Sequence, residues 1–208
     1  MMLIELFAPR DALTAEQRRR VSARLVAEVM SAERAPADLI ARSRAMTYVM
    51  IHESEALVGG RPLGPTAPPH YVVRVSVPGA HTTDAMRAEV VARVTRVLAE
   101  VDGDGRRLYD EPHAWVQLIE VPDGNMGAFG QVLRIGDIMH LAIEGTRPAG
   151  DGAPAGAAPE TAIDPICGMT VALTADALTL THDGATHAFC STACRDLFAA
   201  QHGAATAG

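Results

Sequence analysis

The chain has 208 residues, of which 48% are hydrophobic and 21% are charged, a balance typical of a globular protein and not of a disordered one. The formal net charge of -7 argues against nucleic acid as the main partner, and the 18 basic residues are all arginine, which excludes a lysine Schiff base. No apolar run is long enough to cross a bilayer, and the amino terminus lacks a signal-peptide pattern. We therefore expect a cytoplasmic protein with no membrane or nucleic-acid partner.

The first predicted elements are a strand, a helix and a second strand. The strand MLIELFAP (2–9) leads into a helix near residues 14–33, where Thr14 and Gln17 have the spacing of a capping box. A second strand, AMTYVMIHE (45–53), follows, and the segment ends in the glycine-containing stretch ALVGGRPLG (56–64). The apolar stripe of the helix predicts which residues it buries: Val21, Leu25, Val26, Val29 and Met30.

The same order of elements occurs a second time. It runs through the strand HYVVRVSVPG (70–79), a helix over 82–101, the strand HAWVQLIEVP (113–122) and the segment GNMGAFGQVL (124–133). Two βαβ units in tandem predict an α+β fold, a four-stranded sheet with both helices on one face. The following segment VLRIGDIMHLAIE (132–144) is strand-like and is predicted to pair with a neighbouring subunit. The helix is expected to bury one face: Met86, Val90, Val91, Val94, Val97, Leu98 and Val101.

Composition divides the chain after this tandem body. Residues 145–162, GTRPAGDGAPAGAAPETA, carry little charge and no large apolar side chain, so they predict a mobile linker. The linker would separate a domain over 1–144, with repeats at about 2–64 and 69–140, from a small domain over 163–203. A unit of about forty residues needs a disulfide, a metal ion or some other staple to be stable.

The body resembles the tautomerase superfamily, which includes 4-oxalocrotonate tautomerase and macrophage migration inhibitory factor. The resemblance covers nearly all of residues 2–140. It rests on a strand, a capped helix and a second strand that ends in Glu53 or Glu120 before a glycine-rich turn, VGG or NMGAFG. Family members with two fused units form trimers, so the resemblance implies a homotrimer.

The residues that the family uses for catalysis are not found at their expected places. Its activity depends on an amino-terminal proline, whereas this sequence begins Met1-Met2, and the nitrogen of the internal Pro69 is an amide without basicity. Tyr48 and Trp115 stand where the family has an arginine at the start of the second strand. The resemblance therefore implies a catalytically silent body, a pseudoenzyme.

Two other sources of chemistry remain open in the body. The primary amine of Met1 is a weak base, and an unrelated site is conceivable among Arg74, His52, His70 and Arg134. For histidines on strands, a structural, hydrogen-bonded role is the more common interpretation.

All three cysteines lie in the last fifty residues. Cys190 and Cys194 are four apart and would share one face of a helix that begins at Ser191 or Thr192 and runs to about residue 201. Cys190 would then lie at the helix amino terminus, where the dipole favours a thiolate. Cys167, in the turn of a preceding hairpin, can close on this pair.

The segments DPICGMTV (164–171) and LTHDGATHAFCSTACRDLF (180–198) resemble a YHS domain, a short module attached to metal transporters and some monooxygenase subunits. At His187 this sequence departs from the usual tyrosine. Three thiolates select a soft or borderline ion, namely zinc if His187 or a carboxylate completes a tetrahedron, or copper(I) if three sulfurs suffice or Met169 joins. The matching residues are Asp164, Pro165, Cys167, Gly168, Met169, Gly184, Phe189, Cys190, Ser191, Cys194 and Phe198.

The sequence thus predicts a non-catalytic protein that captures, senses or transfers copper or zinc through Cys167, Cys190, Cys194 and His187, with a metal-donor or metal-acceptor protein as partner. The alternative is a tautomerase-superfamily enzyme acting on a small keto-enol or unsaturated carboxylic acid, with the YHS domain as an accessory. A redox sensor that closes one disulfide is a third hypothesis. Two purely structural interpretations of the three cysteines are also open. They could form one disulfide with a spare thiol, or they could be buried as apolar side chains.

Overall fold

A computed structural model describes residues 1–30, 35–64, 66–79, 83–143, 161–174 and 177–204, and the chain divides into two units. The sheet unit comprises Met1–Met30, Met46–Val77 and Thr82–Val121. The cysteine unit comprises Ser31–Ala45, Pro78–His81 and Pro122–Gly208. Of the predicted linker, all but Thr161 and Ala162 lies outside the described residues.

The first repeat contains the predicted strand, helix and strand. They are β1 (Met2–Pro9), α1 (Ala15–Val29) and β2 (Thr47–Ser54), followed by a short hairpin of β3 (Leu57–Val58) and β4 (Arg61–Pro62). The capping box is confirmed, because Gln17 N donates to Thr14 Oγ1 at 3.2 Å and Thr14 N donates to Gln17 Oε1 at 2.8 Å. A further helix, α2 (Ala37–Ala45), precedes β2 and was not predicted. On α1 the predicted stripe faces inward, with Val21 and Leu25 buried and Val26, Val29 and Met30 half-buried.

The second repeat has the same order. It consists of β5 (Tyr71–Pro78), α3 (Asp84–Asp102), the single turn α4 (Arg107–Asp110), β6 (Ala114–Val121) and a hairpin of β7 (Met126–Ala128) and β8 (Gln131–Leu133). Thr83 caps α3 by accepting from Met86 N at 3.2 Å. The predicted stripe of α3 is only partly correct. Val94, Val97, Leu98 and Val101 are buried and Val90 is half-buried, but Met86 and Val91 near the start of the helix are exposed.

The four long strands form one sheet in the order β2-β1-β5-β6. β1 pairs with β2 in parallel, with Met2 opposite Thr47, and with β5 antiparallel, with Ile4 opposite Val75. α1 and α3 contact each other and share one core with the strands, which confirms the four-stranded sheet with both helices on one face. That core is formed by alternate residues of the strands and the inner faces of the helices: Ile4, Leu6, Val21, Leu25, Val73, Val75, Val94, Val97 and Leu98.

The strand predicted over 132–144 is wrong for most of its length. Only Gln131–Leu133 is extended, and Ile135–Ile143 forms a helix, α5. Its first turn is held by two carboxylates: Ile135 N donates to Asp123 Oδ1 at 2.7 Å and Arg134 N donates to Asp137 Oδ2 at 2.8 Å. Ile138 and Ala142, one turn apart, are buried, as expected of an amphipathic helix.

The carboxy-terminal segment consists of two small hairpins and a helix. β9 (Thr161–Ile163) pairs with β10 (Thr170–Ala172), β11 (Leu178–His182) pairs with β12 (Ala185–Phe189), and α6 (Thr192–His202) follows. α5 contacts both α2 and α6 within the cysteine unit. The hairpins and α6 are therefore packed with two helices that come from the first 144 residues.

Among the described residues, no helix combines the length and the apolar character that spanning a membrane requires.

Candidate metal centre

A tight turn between β9 and β10 carries Cys167. Asp164 N donates to Met169 O and Gly168 N donates to Asp164 O, both at 2.8 Å. Gly168 has a φ of +73°, a left-handed conformation that favours glycine. The turn leaves the Cys167 side chain buried.

The other two cysteines lie where β12 passes into α6. Cys190 follows the last residue of β12, and Ser191 is the N-cap of α6, with its Oγ accepting from Cys194 N at 3.3 Å. The predicted cap and helix are thus present. Cys194 lies in the first turn of the helix and is fully buried.

The three sulfur atoms converge. Cys190 Sγ lies 3.4 Å from Cys167 Sγ and 3.7 Å from Cys194 Sγ, and all three cysteines are free thiols. Two sulfurs bound to one tetrahedral zinc ion, each at about 2.3 Å, would be roughly 3.8 Å apart. The spacing of the thiols therefore fits a shared ion.

The carboxylate of Asp164 lies beside the three sulfur atoms. Together with Cys167, Cys190 and Cys194 it forms a group whose potential ligand atoms all lie within 4.8 Å of one another. The carboxylate is completely buried, and it accepts from Ile166 N at 2.8 Å, from Cys167 N at 3.3 Å and from Cys190 N at 2.8 Å. Both of its oxygens are engaged by backbone, so the carboxylate links the two cysteine-bearing segments.

Contacts within the cluster shift the pKa values of the three thiols in different directions. Hydrogen bonds from Cys167 and then Cys190 lower the pKa of Cys194 to about 5. The pKa of Cys167 is raised, first by its hydrogen bonds to Cys190 and Cys194 and then by burial. Contact with Cys167 lowers the pKa of Cys190, but contact with Cys194 and burial raise it by more.

The sequence predicts a lowered pKa at Cys190, from the helix dipole. In the structure the lowered pKa is that of Cys194, because its two neighbouring thiols donate hydrogen bonds to it. Burial, followed by the charge of Cys190, also raises the pKa of Asp164.

His187, the predicted fourth ligand, does not belong to the converging group. It lies on β12 opposite Leu180, and its ring packs against Phe198 with centroids 4.8 Å apart. His202 packs on Phe198 as well, at 4.3 Å. His182, His187 and His202 thus lie around one aromatic ring, and the carboxylate of Asp164 lies beside the sulfurs.

Asp164 belongs to the sequence motif, but the motif alone did not predict that it lies in the site. A signal for its role was present, because an Asp side chain commonly accepts from the backbone N–H two residues further on, and Cys167 lies just beyond that position. Its bond to Cys190 could not be read from spacing, since 26 residues separate the two.

The other candidate residues of the body are placed in the sheet. His52 stacks on Phe7 with centroids 4.4 Å apart and lies 3.2 Å from Glu5 Oε1. Arg74 lies over the same Phe7 ring at 5.0 Å and donates to Gln117 Oε1 at 3.0 Å. His52 and Arg74 thus both lie against Phe7, and Arg74 is hydrogen-bonded to Gln117 on the neighbouring strand.

Arg134 and His70 are placed separately from that group. Arg134, in the cysteine unit, pairs with Asp123 at 3.3 Å. His70, in the sheet unit, stacks on His113.

No protein-family model matches the chain, and no curated protein matches it. Among solved structures, it is similar to Pt0534 inactivated by 2-oxo-3-pentynoate, with 21% identity and a TM-score of 0.48 over 62% of this chain and 94% of that one. It is similar to a fused 4-OT described as an asymmetric trimer, with 20% identity and a TM-score of 0.46 over 62% and 94% of the two chains. Macrophage migration inhibitory factor of Toxoplasma gondii has 15% identity and a TM-score of 0.43, over 63% and 99%.

Proposed function

We propose that this chain is a non-catalytic transition-metal-binding protein, in which a tautomerase-like body carries a YHS module that captures, senses or transfers copper or zinc. The observation that carries the proposal is the convergence of Cys167, Cys190 and Cys194, from two separate segments of the chain, to sulfur separations of 3.4 and 3.7 Å. Thiols gathered in this way, two of them buried and one half-buried, and not joined by a disulfide, are the donor set that soft and borderline ions prefer.

The three sulfurs would hold the ion, and Asp164 would keep them in place. Because both oxygens of Asp164 accept backbone N–H groups, three sulfurs are the more available donors, and this favours copper(I). Zinc becomes the better fit if the carboxylate also coordinates. A bound ion would supply a cross-link between the β9–β10 turn and α6, which adds stability to a small unit.

Transfer requires a donor or acceptor protein, and the cytoplasm is the proposed location. The function of the body is to present the module. We do not assign the alternative activity on a small carboxylic acid to the body, because no lysine is present and Arg74 is engaged with Gln117 and Phe7.

We also propose that three copies assemble. The face of the sheet opposite α1 and α3 carries exposed large side chains, among them Tyr48 and Met50. The outermost strands of the described sheet, β2 and β6, each present an edge on which another strand could pair. Light scattering after size exclusion should give a molar mass three times that of one chain. The Met50→Arg variant should have the molar mass of a single chain.

Elemental analysis of protein purified without chelator tests the metal proposal. The expected result is one copper or zinc per chain, lost in Cys190→Ser. Thr181→Ser, an exposed substitution on β11 of the same unit, is the matched control and should keep the metal. Absorbance of the cobalt(II)-loaded protein adds a second readout, since thiolate-to-metal charge transfer appears only when sulfur is bound. A wild-type protein that takes up no thiophilic ion would overturn the proposal.

A further inference from the structure

A pocket of about 610 Å³ opens at one end of the sheet, and all of its lining residues belong to the sheet unit. It is formed by the end of β1, the hairpin of β3 and β4, and the beginnings of β5 and β6. This volume is within the range of small-molecule binding sites. The proposed metal function makes no use of it.

The wall of the pocket is apolar and uncharged. No Asp, Glu or Arg is among the described residues that line it, and its large apolar and aromatic side chains are Phe7, Pro9, Leu57, Val58, Tyr71, Pro112 and Trp115. A charged ligand would lose hydration there without gaining an ion-pair partner. The wall therefore selects uncharged molecules, and its aromatic rings favour a planar one.

Two imidazoles, His70 and His113, contribute polar ring nitrogens to the wall, beside Ser54 and Tyr71. The rings of His70 and His113 stack with centroids 3.8 Å apart and an interplanar angle of 29°. Burial, followed by the neighbouring His113 and Arg107, lowers the pKa of His70, which keeps this ring neutral at pH 7.

A buried network behind the pocket fixes the tautomer of His113. Arg107 Nη1 lies 2.8 Å from His113 Nδ1, and because a guanidinium can only donate, Nδ1 accepts and the proton is on Nε2. Arg107 is itself held by Asp102, with Nε donating to Oδ2 at 2.9 Å, and by Pro69 O at 3.0 Å. Glu111 Oε2 also lies 2.9 Å from Nδ1, but its side chain is 53% exposed, and the buried Arg107 is the more constrained neighbour.

The charges of this network cancel, since Arg107 and Asp102 form one buried pair. His113 lines the pocket, and because its Nδ1 is engaged by Arg107, Nε2 is the ring nitrogen left to donate to a ligand. We propose that the pocket binds an uncharged planar aromatic molecule that carries a carbonyl oxygen, which accepts a hydrogen bond from His113 Nε2.

The single tryptophan of the chain, Trp115, lines the pocket and reports on it. Its indole N–H gives one identifiable signal in a proton–nitrogen correlation spectrum of the full-length protein. The probes are acetophenone, ethylbenzene, which has a similar shape and no acceptor, and benzoate, which is charged at pH 7.5. Acetophenone should shift the signal saturably and bind roughly two- to tenfold more tightly than ethylbenzene, as one neutral hydrogen bond predicts. Benzoate should bind most weakly.

Two variants distinguish the contribution of the His113 hydrogen-bond donor from that of the apolar wall. His113→Phe keeps an aromatic ring beside His70 and removes the donor, so acetophenone and ethylbenzene should bind equally. Leu57→Ser, at a half-exposed position of the hairpin, should weaken both neutral probes and keep their ratio. Thermal melting monitors folding. If His113→Phe does not fold, the Leu57→Ser variant and the ratio of acetophenone to ethylbenzene affinity in the wild type still test the proposal. The proposal is overturned if neither neutral probe shifts the signal, if benzoate binds most tightly, or if either variant leaves both affinities unchanged.

Discussion

Asp164 Oδ2 accepts a hydrogen bond of 2.8 Å from the backbone N–H of Cys190, 26 residues further along the chain. The other oxygen of the same carboxylate accepts from the N–H groups of Ile166 and Cys167. One buried side chain thus joins the turn that carries Cys167 to the segment that carries Cys190, and it brings their sulfurs to 3.4 Å. The geometry of the proposed metal site depends on this carboxylate as much as on the thiols.

Asp164→Asn should weaken metal binding without removing a sulfur ligand. An amide offers one oxygen in place of two, so one cysteine segment loses its anchor, and affinity should fall about 10- to 100-fold. Competition with a chromophoric chelator measures this. The matched control is Asp183→Asn in the same unit, where the side chain is exposed and asparagine tolerates the φ of +49°. Equal affinities in the two variants would show that Asp164 does not position the thiols.

His187→Ala should keep the full metal content. Its ring packs on Phe198 and stands apart from the converging group, so the variant should lose thermal stability but no metal. Elemental analysis and a melting curve on one sample give both values. His140→Ala, at an exposed position of α5, controls for the loss of any histidine. Loss of metal with unchanged melting would restore His187 as a ligand.

Gly168→Ala should destabilise the cysteine unit more than Gly203→Ala does. Both glycines have positive φ, but a Cβ at Gly168 would lie 2.8 Å from Pro36 Cγ, whereas a Cβ at Gly203 meets nothing within 4 Å. The difference should be about 1–3 kcal/mol, the usual cost of overpacking. Urea unfolding measures it. Adding Pro36→Ala should recover most of the difference, and a double variant as unstable as Gly168→Ala would assign the cost to the backbone alone.

The stability of the sheet unit should fall at alkaline pH through Tyr71. Burial, and then the charge of Asp102, raise the pKa of this phenol, whose hydroxyl donates to Asp102 Oδ1 at 3.0 Å. The unfolded chain releases the proton near pH 10 while the folded chain retains it, so the contribution is complete below pH 10 and is lost as pH rises above it. Tyr71→Phe should show a smaller fall in the free energy of unfolding above pH 10. Tyr109→Phe, an exposed control, should follow the wild type.

The amino-acid pattern was sufficient to predict the tandem strands and helices of the sheet unit. Period-two strands such as β1 and a capped amphipathic helix such as α1 are local features, and the parallel pairing of β1 with β2 follows from the crossover between them. The same reasoning failed at α5, because a short apolar segment suits a strand or a helix equally well. There the carboxylates of Asp123 and Asp137 stabilise the first turn of the helix by accepting backbone N–H groups. Asp123 lies 12 residues before its donor, Ile135.

The sequence by itself determined that three thiols would be available in one small segment, since the cap at Ser191 and the four-residue spacing of Cys190 and Cys194 are local. Only the tertiary structure decided which carboxylate lies beside them, which thiol has a lowered pKa, and that the ring of His187 packs on Phe198. Those outcomes depend on contacts between residues distant in sequence, where burial and donated hydrogen bonds outweigh any preference that a residue shows alone.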